Sequence, residues 1–153
     1  MMTIAINDME TAYTDAACRT GPGSTFVGVG AGDISGLTLT RGIYKWSTDV
    51  KFNTDLTLTS SATGVWIMQI AGTFTAGPGA KVILADGAQA ENIFWAIADA
   101  LAFDDGSHGE GIFLAKTMIS FNAGSSLYGA AFAQTAVTMI STDIEAVMVS
   151  LLI

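Results

Sequence analysis

The one histidine of the chain, His108, is the first residue whose type could support catalysis. It stands close to Ser107 and Glu110, and an imidazole beside a hydroxyl and a carboxylate can act as a general base. The repeat described below places no serine or cysteine nucleophile beside His108, so a hydrogen-bonding role at a turn is the favoured interpretation. We therefore predict that the protein is not an enzyme.

The other residues with metal-binding or reactive side chains do not form a recognisable site. Asp104 and Asp105 adjoin a turn, but two carboxylates without further ligands make a poor calcium site. Cys18 has no second cysteine to pair with and stands among alanines, as a small packed side chain would. The glycine-rich stretch 28–32 lacks the lysine of a phosphate-binding loop. No metal and no cofactor is predicted.

The composition indicates one domain, residues 1–153, whose partner is not a polyanion. Half of the residues are hydrophobic, which is enough to build a core, and only 13% are charged. A net charge of −8 opposes binding to nucleic acid and to anionic membranes. We find no signal peptide at the start of the chain and no apolar run long enough to cross a bilayer.

The first segment of the chain has helical spacing. Between residues 3 and 19, apolar side chains recur every three to five positions with Asp8, Glu10 and Asp15 between them. Thr3 could cap this segment, and the run 20–23, which contains glycine and proline, would end it. The pattern predicts an amphipathic α-helix at about residues 3–19.

Beyond residue 33 a short unit recurs in which a small residue stands between two apolar ones. The units follow one another at a period of about 18 residues, and the one longer interval is attributed to an inserted loop near residues 85–92. A glycine suited to a tight corner follows several of the units, as at Gly79 and Gly106. The units are Leu37-Thr38-Leu39, Leu56-Thr57-Leu58, Phe74-Thr75-Ala76, Leu101-Ala102-Phe103, Ile119-Ser120-Phe121 and Val137-Thr138-Met139.

A period of about 18 residues fits one coil of a parallel β-helix, with three short strands and three corners. Coils are expected at about residues 33–145, with the helix packed along one side. The apolar residues of each unit then point inward and the middle one outward, so the middle residues should form one uncharged ladder. We take this ladder and the residues before it as the candidate site: Thr38, Thr57, Thr75, Ala102, Ser120, Thr138, Ser35, Thr54, Thr73, Thr117 and Thr135.

An uncharged, threonine-rich face is unusual, because exposed sheets ordinarily carry Lys and Glu for solubility. Threonine is also simply a good strand residue, which is the plain alternative. A rigid array of hydroxyls and methyls can, however, order a layer of water at a regular spacing.

Several segments in order resemble the ice-binding β-solenoid domain found in cold-living microbes, and the resemblance covers essentially the whole chain. The segments that carry it are residues 8–17, 32–39, 42–47, 65–73, 79–82, 87–95, 106–108 and 133–138. The resemblance implies a right-handed parallel β-helix of triangular section with one long α-helix packed alongside. It also implies that the family's N-terminal section is absent from this chain.

In function, the resemblance implies an antifreeze protein that adsorbs to ice through a flat face rich in Thr, Ser and Ala. Thermal hysteresis, inhibition of ice recrystallisation and secretion would follow. The expected partner is the ice surface, and the expected state is a monomer, with association through exposed coil ends as the alternative. The second functional hypothesis is a structural or adhesive β-solenoid that binds carbohydrate or surfaces.

Overall fold

The strands among the described residues lie in three parallel sheets. The structure, a computed structural model, describes residues 11, 14, 25–140, 143–145 and 149–151. Sheet A contains β1 (Thr25–Val27), β3 (Gly42–Trp46), β6 (Trp66–Ile70), β9 (Ile93–Ile97), β11 (His108–Ala115), β13 (Ser126–Ala133) and β15 (Asp143–Glu145) in this order, and β16 (Val149–Leu151) also pairs with β13. Sheet B contains β4 (Val50–Phe52), β7 (Phe74–Ala76), β10 (Leu101–Phe103), β12 (Met118–Phe121) and β14 (Ala136–Met139), and sheet C contains β2 (Thr38–Thr40), β5 (Leu56–Thr59) and β8 (Val82–Ala85).

The chain passes through all three sheets in turn as far as β8 and then alternates between sheets A and B up to β14. Every strand pair among the described residues is parallel. This is the mainly-β, parallel solenoid that the repeat predicts. One corner recurs in successive coils at Gly79, Gly106 and Gly124, whose φ angles of 71°, 71° and 72° lie in the left-handed region. These three glycines of the repeat therefore mark one corner of the coil, as predicted.

The prediction of one long α-helix packed alongside the solenoid is wrong for the fold that is described. Apart from strands, the elements there are two short 3-10 turns, Val29–Gly32 and Ala90–Asn92. The predicted range, 3–19, lies outside the described residues except for Thr11 and Thr14, which are both helical. Spacing is a local signal, whereas a helix in a protein depends mainly on tertiary packing.

Coil length varies more than the sequence repeat indicates. The coils from Leu101 onward have the predicted length, since Leu101, Ile119 and Val137 are register partners at successive periods of the repeat. Two coils in the middle of the chain are longer, because Val50 pairs with Phe74 and Phe74 pairs with Leu101, and both intervals exceed the period. Two coils therefore carry extra residues, where the sequence suggests one insertion.

A stack of buried aromatic rings fills the interior. Ring centroids are 4.8 Å apart for Phe74 and Trp95 and 5.3 Å apart for Trp95 and Phe113, and the last two rings are nearly parallel. Phe103 and Phe121 stack in the same way at 4.8 Å. All five side chains are essentially inaccessible to solvent. Such pairs contribute about 0.5–1.5 kcal/mol each beyond their burial, so the core holds the coils in a rigid register.

Candidate functional site

The outward positions of sheet B form one continuous column. Thr75, Ala102, Ser120 and Thr138 are register partners in succession, so their side chains follow one another at about 4.8 Å. The residues on either side of the first three are buried in the core. Four consecutive coils thus present hydroxyl or methyl groups, and none of the four side chains is charged.

A second column, formed by Gly72, Asp99, Thr117 and Thr135, runs beside the first at the start of each strand. The Asp99 amide donates to the Gly72 carbonyl at 3.3 Å, and the Thr135 amide donates to the Thr117 carbonyl at 2.8 Å. The Thr117 hydroxyl donates to the Asp99 carboxylate at 3.4 Å. Thr135 is exposed and Thr117 half-buried, so this column reaches the surface. Asp99 is the one charged member of these four.

The positions between the two columns are mostly small. Thr73, Ala100 and Ala136 are all half-buried, while Met118, the register partner of Ala136, is 38% exposed and larger. The Thr73 amide donates to the Asp49 carboxylate at 2.8 Å, which ties this edge to the preceding coil. We call Thr75, Ala102, Ser120, Thr138, Thr117 and Thr135 together the sheet B surface.

Charged side chains border this surface at one end. The strand partner of Thr75 in the preceding coil is Lys51, which continues the first column. Asp33 is in turn the register partner of Lys51, through a single backbone β-bridge. Hydrogen bonds from the Ser35 hydroxyl and amide lower the pKa of Asp33, and the charge of Lys51 adds to this effect. The uncharged column therefore begins at Thr75.

The prediction that all six middle positions form one ladder is wrong. Thr38 and Thr57 pair with each other in sheet C, and the next partner of Thr57 is Ile83, not Thr75. The interval from Leu56 to Phe74 equals one period only by coincidence, because it runs from a strand of sheet C to the next strand of sheet B. The longer coil there makes Val50 the partner of Phe74.

Ser35 and Thr54 also lie apart from the sheet B surface. The Ser35 hydroxyl donates to the Asp33 carboxylate and accepts from the Asn53 amide at 2.8 Å. Thr54 is exposed and follows directly after Asn53, outside any strand. Both residues therefore belong to connections between strands, where Ser35 braces two successive coils.

The structure brings together a polar cluster that the sequence analysis missed. His108 Nδ1 lies 2.6 Å from the Ser126 hydroxyl, and its Nε2 lies 2.7 Å from the Glu110 carboxylate. A serine therefore does stand beside the histidine, contrary to the expectation from the repeat. The signal was present, since Ser126 follows His108 by one full coil.

The described part of the chain lacks two features, a cluster of metal-binding side chains and a helix that could span a bilayer. It contains no group of three or more His, Cys, Asp or Glu side chains arranged to hold a metal ion, and Asp104 and Asp105 are included in that statement. In the same residues no helix has the length and apolar character needed to cross a bilayer.

Comparison with known proteins places the chain in a family. A profile of the family described as Ice-binding-like matches residues 1–145. The chain belongs to the Ice-binding-like family. Among curated relatives, the ice-binding protein of Flavobacterium frigoris (strain PS1) is 44% identical over 138 residues, covering 90% of this chain and 49% of the relative. That of a Colwellia species is 44% identical over 146 residues, covering 95% and 57%.

Solved structures of Ice-binding-like proteins have the same fold. An ice-binding protein from an Arctic yeast, described as having antifreeze activity, superposes with a TM-score of 0.88 at 34% identity, covering 93% of this chain and 61% of that one. A domain of an ice-binding protein from Shewanella frigidimarina gives 0.85 at 29% identity, covering 97% and 63%. The chain spans about half the length of the curated relatives it matches.

Proposed function

We propose that this chain adsorbs to ice through the sheet B surface. The observation that carries the proposal is the register column Thr75, Ala102, Ser120 and Thr138, which presents four successive uncharged side chains at strand spacing. Thr117 and Thr135 widen the surface to two columns. Membership of the Ice-binding-like family supports ice as the partner.

Adsorption to ice requires a rigid surface whose hydroxyl and methyl groups contact many water molecules at the same time. Each hydroxyl or methyl group contributes little alone, but contacts on a rigid array act together and give tight adsorption. The aromatic core beneath sheet B and the parallel hydrogen bonding keep the array fixed before binding, so little conformational entropy is lost.

The other two sheets are less suited to this role. Sheet C has only three strands among the described residues, and its threonine column ends at Ile83. In addition, the Thr59 hydroxyl donates a hydrogen bond to the charged Asp86 carboxylate. On sheet A, the side turned away from the aromatic core is occupied by the buried apolar cluster of Ile43, Ile67, Ala96 and Leu114. Sheet B combines the longest threonine-rich column with access to solvent.

Thermal hysteresis and slower recrystallisation follow from adsorption, because bound protein obstructs the growth of the crystal between adsorbed molecules. The protein acts as a monomer outside the cell, where ice first forms. Its net charge of −8 gives no attraction to nucleic acid or anionic lipid.

Growth of a single ice crystal in a solution of the purified chain tests the proposal. We expect faceted crystals and a gap between melting and freezing temperatures that widens with protein concentration. A solution of serum albumin at equal mass provides the control. Round crystals that grow as in the control would contradict ice adsorption by this chain.

Asp99→Thr should strengthen adsorption. The substitution removes a carboxylate that must lose water at the ice contact, and it extends the uncharged part of the second column by one coil beyond Thr117 and Thr135. Leaving a charged group poorly hydrated costs roughly 1 kcal/mol or more, so we expect about fivefold tighter adsorption in ice-affinity partitioning.

The matched control for this substitution is Asp105→Thr, which makes the same charge change at an exposed corner outside sheet B. Its partitioning should equal that of the unmodified chain. An equal gain in both variants would mean that net charge, and not the sheet B surface, governs adsorption.

A further inference from the structure

Two hydrogen bonds connect the His108 ring to Ser126 and Glu110. An ionised carboxylate can only accept hydrogen bonds, so Glu110 at 2.7 Å requires the proton on Nε2. In the neutral imidazole Nδ1 then carries a lone pair, and at 2.6 Å it is placed to accept the hydroxyl proton of Ser126. A nucleophile, a base and a carboxylate that orients the base thus stand in one hydrogen-bonded chain.

We propose that Ser126 is a nucleophile activated by His108, and that through it the chain hydrolyses small activated esters. This activity goes beyond ice adsorption and uses none of the residues of the sheet B surface. Acyl transfer is the reaction class because a neutral imidazole in contact with a serine hydroxyl is the arrangement that such chemistry requires.

The surroundings allow a small substrate to reach the hydroxyl. The side chains of His108 and Glu110 are 26% and 17% exposed, so both are mostly shielded from bulk water and keep some access to solvent. Tyr128 follows Ser126 by two residues on the same side of β13 and is 46% exposed, which offers a ring against which an aryl ester can pack. Lys81 is the register neighbour of His108, and its exposed side chain contributes positive charge to this part of the surface.

The reaction balances without any further reagent. The Ser126 oxygen forms a bond to the ester carbonyl carbon while its proton passes to His108 Nδ1. The carbon–oxygen bond to the leaving alcohol or phenol then breaks, and the leaving group takes that proton. Water repeats the sequence on the acyl-serine, releasing the carboxylic acid and restoring the Ser126 hydroxyl. Glu110 acts as a positioning residue for the imidazole.

A fluorophosphonate probe and p-nitrophenyl acetate test this proposal on the complete chain. General-base assistance is worth about 10²–10⁴-fold, so peptide mapping should find the probe on Ser126 at least about 100-fold faster than on Ser61. Ser61 is the matched serine because it is exposed and its hydroxyl contacts Thr63, not a histidine. Ser126→Ala should lose p-nitrophenol release, while Ser61→Ala retains it.

Two further variants separate activation from a purely structural hydrogen bond. His108→Gln keeps a polar partner but removes the base, and labelling should fall about 100-fold or more. Glu110→Gln should lower kcat for p-nitrophenyl acetate more than it changes KM, because the carboxylate that positions the imidazole is gone. Circular dichroism and thermal unfolding verify that each variant is folded.

Equal labelling of Ser126 and Ser61, or hydrolysis by Ser126→Ala at the rate of the unmodified chain, would overturn the proposal. Unchanged labelling in a folded His108→Gln variant would do so as well. In each of these cases the cluster serves only to join neighbouring coils.

Discussion

Thr75→Tyr on sheet B is expected to abolish ice shaping, while Thr57→Tyr on sheet C leaves it intact. A tyrosine ring at position 75 stands above the plane formed by Ala102, Ser120 and Thr138 and keeps the neighbouring coils away from the crystal. The loss of simultaneous contacts should lower adsorption by at least about 1.4 kcal/mol, or tenfold. Thermal hysteresis at equal protein concentration is the measurement.

The two variants make the same change at equivalent positions of the repeat unit, so their difference reports the sheet and not the substitution. Both residues are half-buried strand residues, and both variants should unfold at similar temperatures. Loss of hysteresis in Thr57→Tyr alone would assign the ice contact to sheet C. Full hysteresis in both would exclude both threonine columns.

Gly129→Ala should have the largest effect on stability. Gly129 and Gly111 are register partners, and the backbone at Gly129 has a φ of 140°. An added Cβ would overlap the carbonyl oxygen of Gly111, and backbone atoms cannot move aside as a flexible side chain can. We expect a loss of roughly 4 kcal/mol or more in the free energy of unfolding, because two coils would have to separate. Denaturant titration followed by circular dichroism measures it.

Gly79→Ala provides the control for that substitution. Gly79 also has a positive φ, of 71°, but no atom lies within 4 Å of the Cβ that alanine would add. Only the left-handed strain remains, which costs about 1–2 kcal/mol. Similar losses in the two variants would mean that backbone strain, and not the close approach of two coils, dominates at Gly129.

The repeat could be predicted correctly where coil length is constant. Leu101, Ile119 and Val137 stand one period apart and are register partners, so the outward residues Ala102, Ser120 and Thr138 could be stacked from the sequence alone. Further up the chain the same period is misleading. Thr57 and Thr75 are also one period apart, yet they lie in different sheets.

At the cluster around His108, the period indicated a contact that was not predicted. Its members were visible, and Ser126 follows His108 by one coil, yet the repeat was taken to place no serine beside His108. The helix predicted at residues 3–19 depended on spacing alone, and the fold that the structure describes contains no long α-helix.

By itself, the sequence determined the kind of architecture, since alternating apolar residues, corner glycines and a recurring unit allow few folds other than a parallel solenoid. It also determined the uncharged character of the outward residues. Only the tertiary structure decided which threonines share a surface and which serine meets the histidine. Register partners depend on the number of residues in each intervening coil, and extra residues at a corner change that number without altering the repeat unit itself.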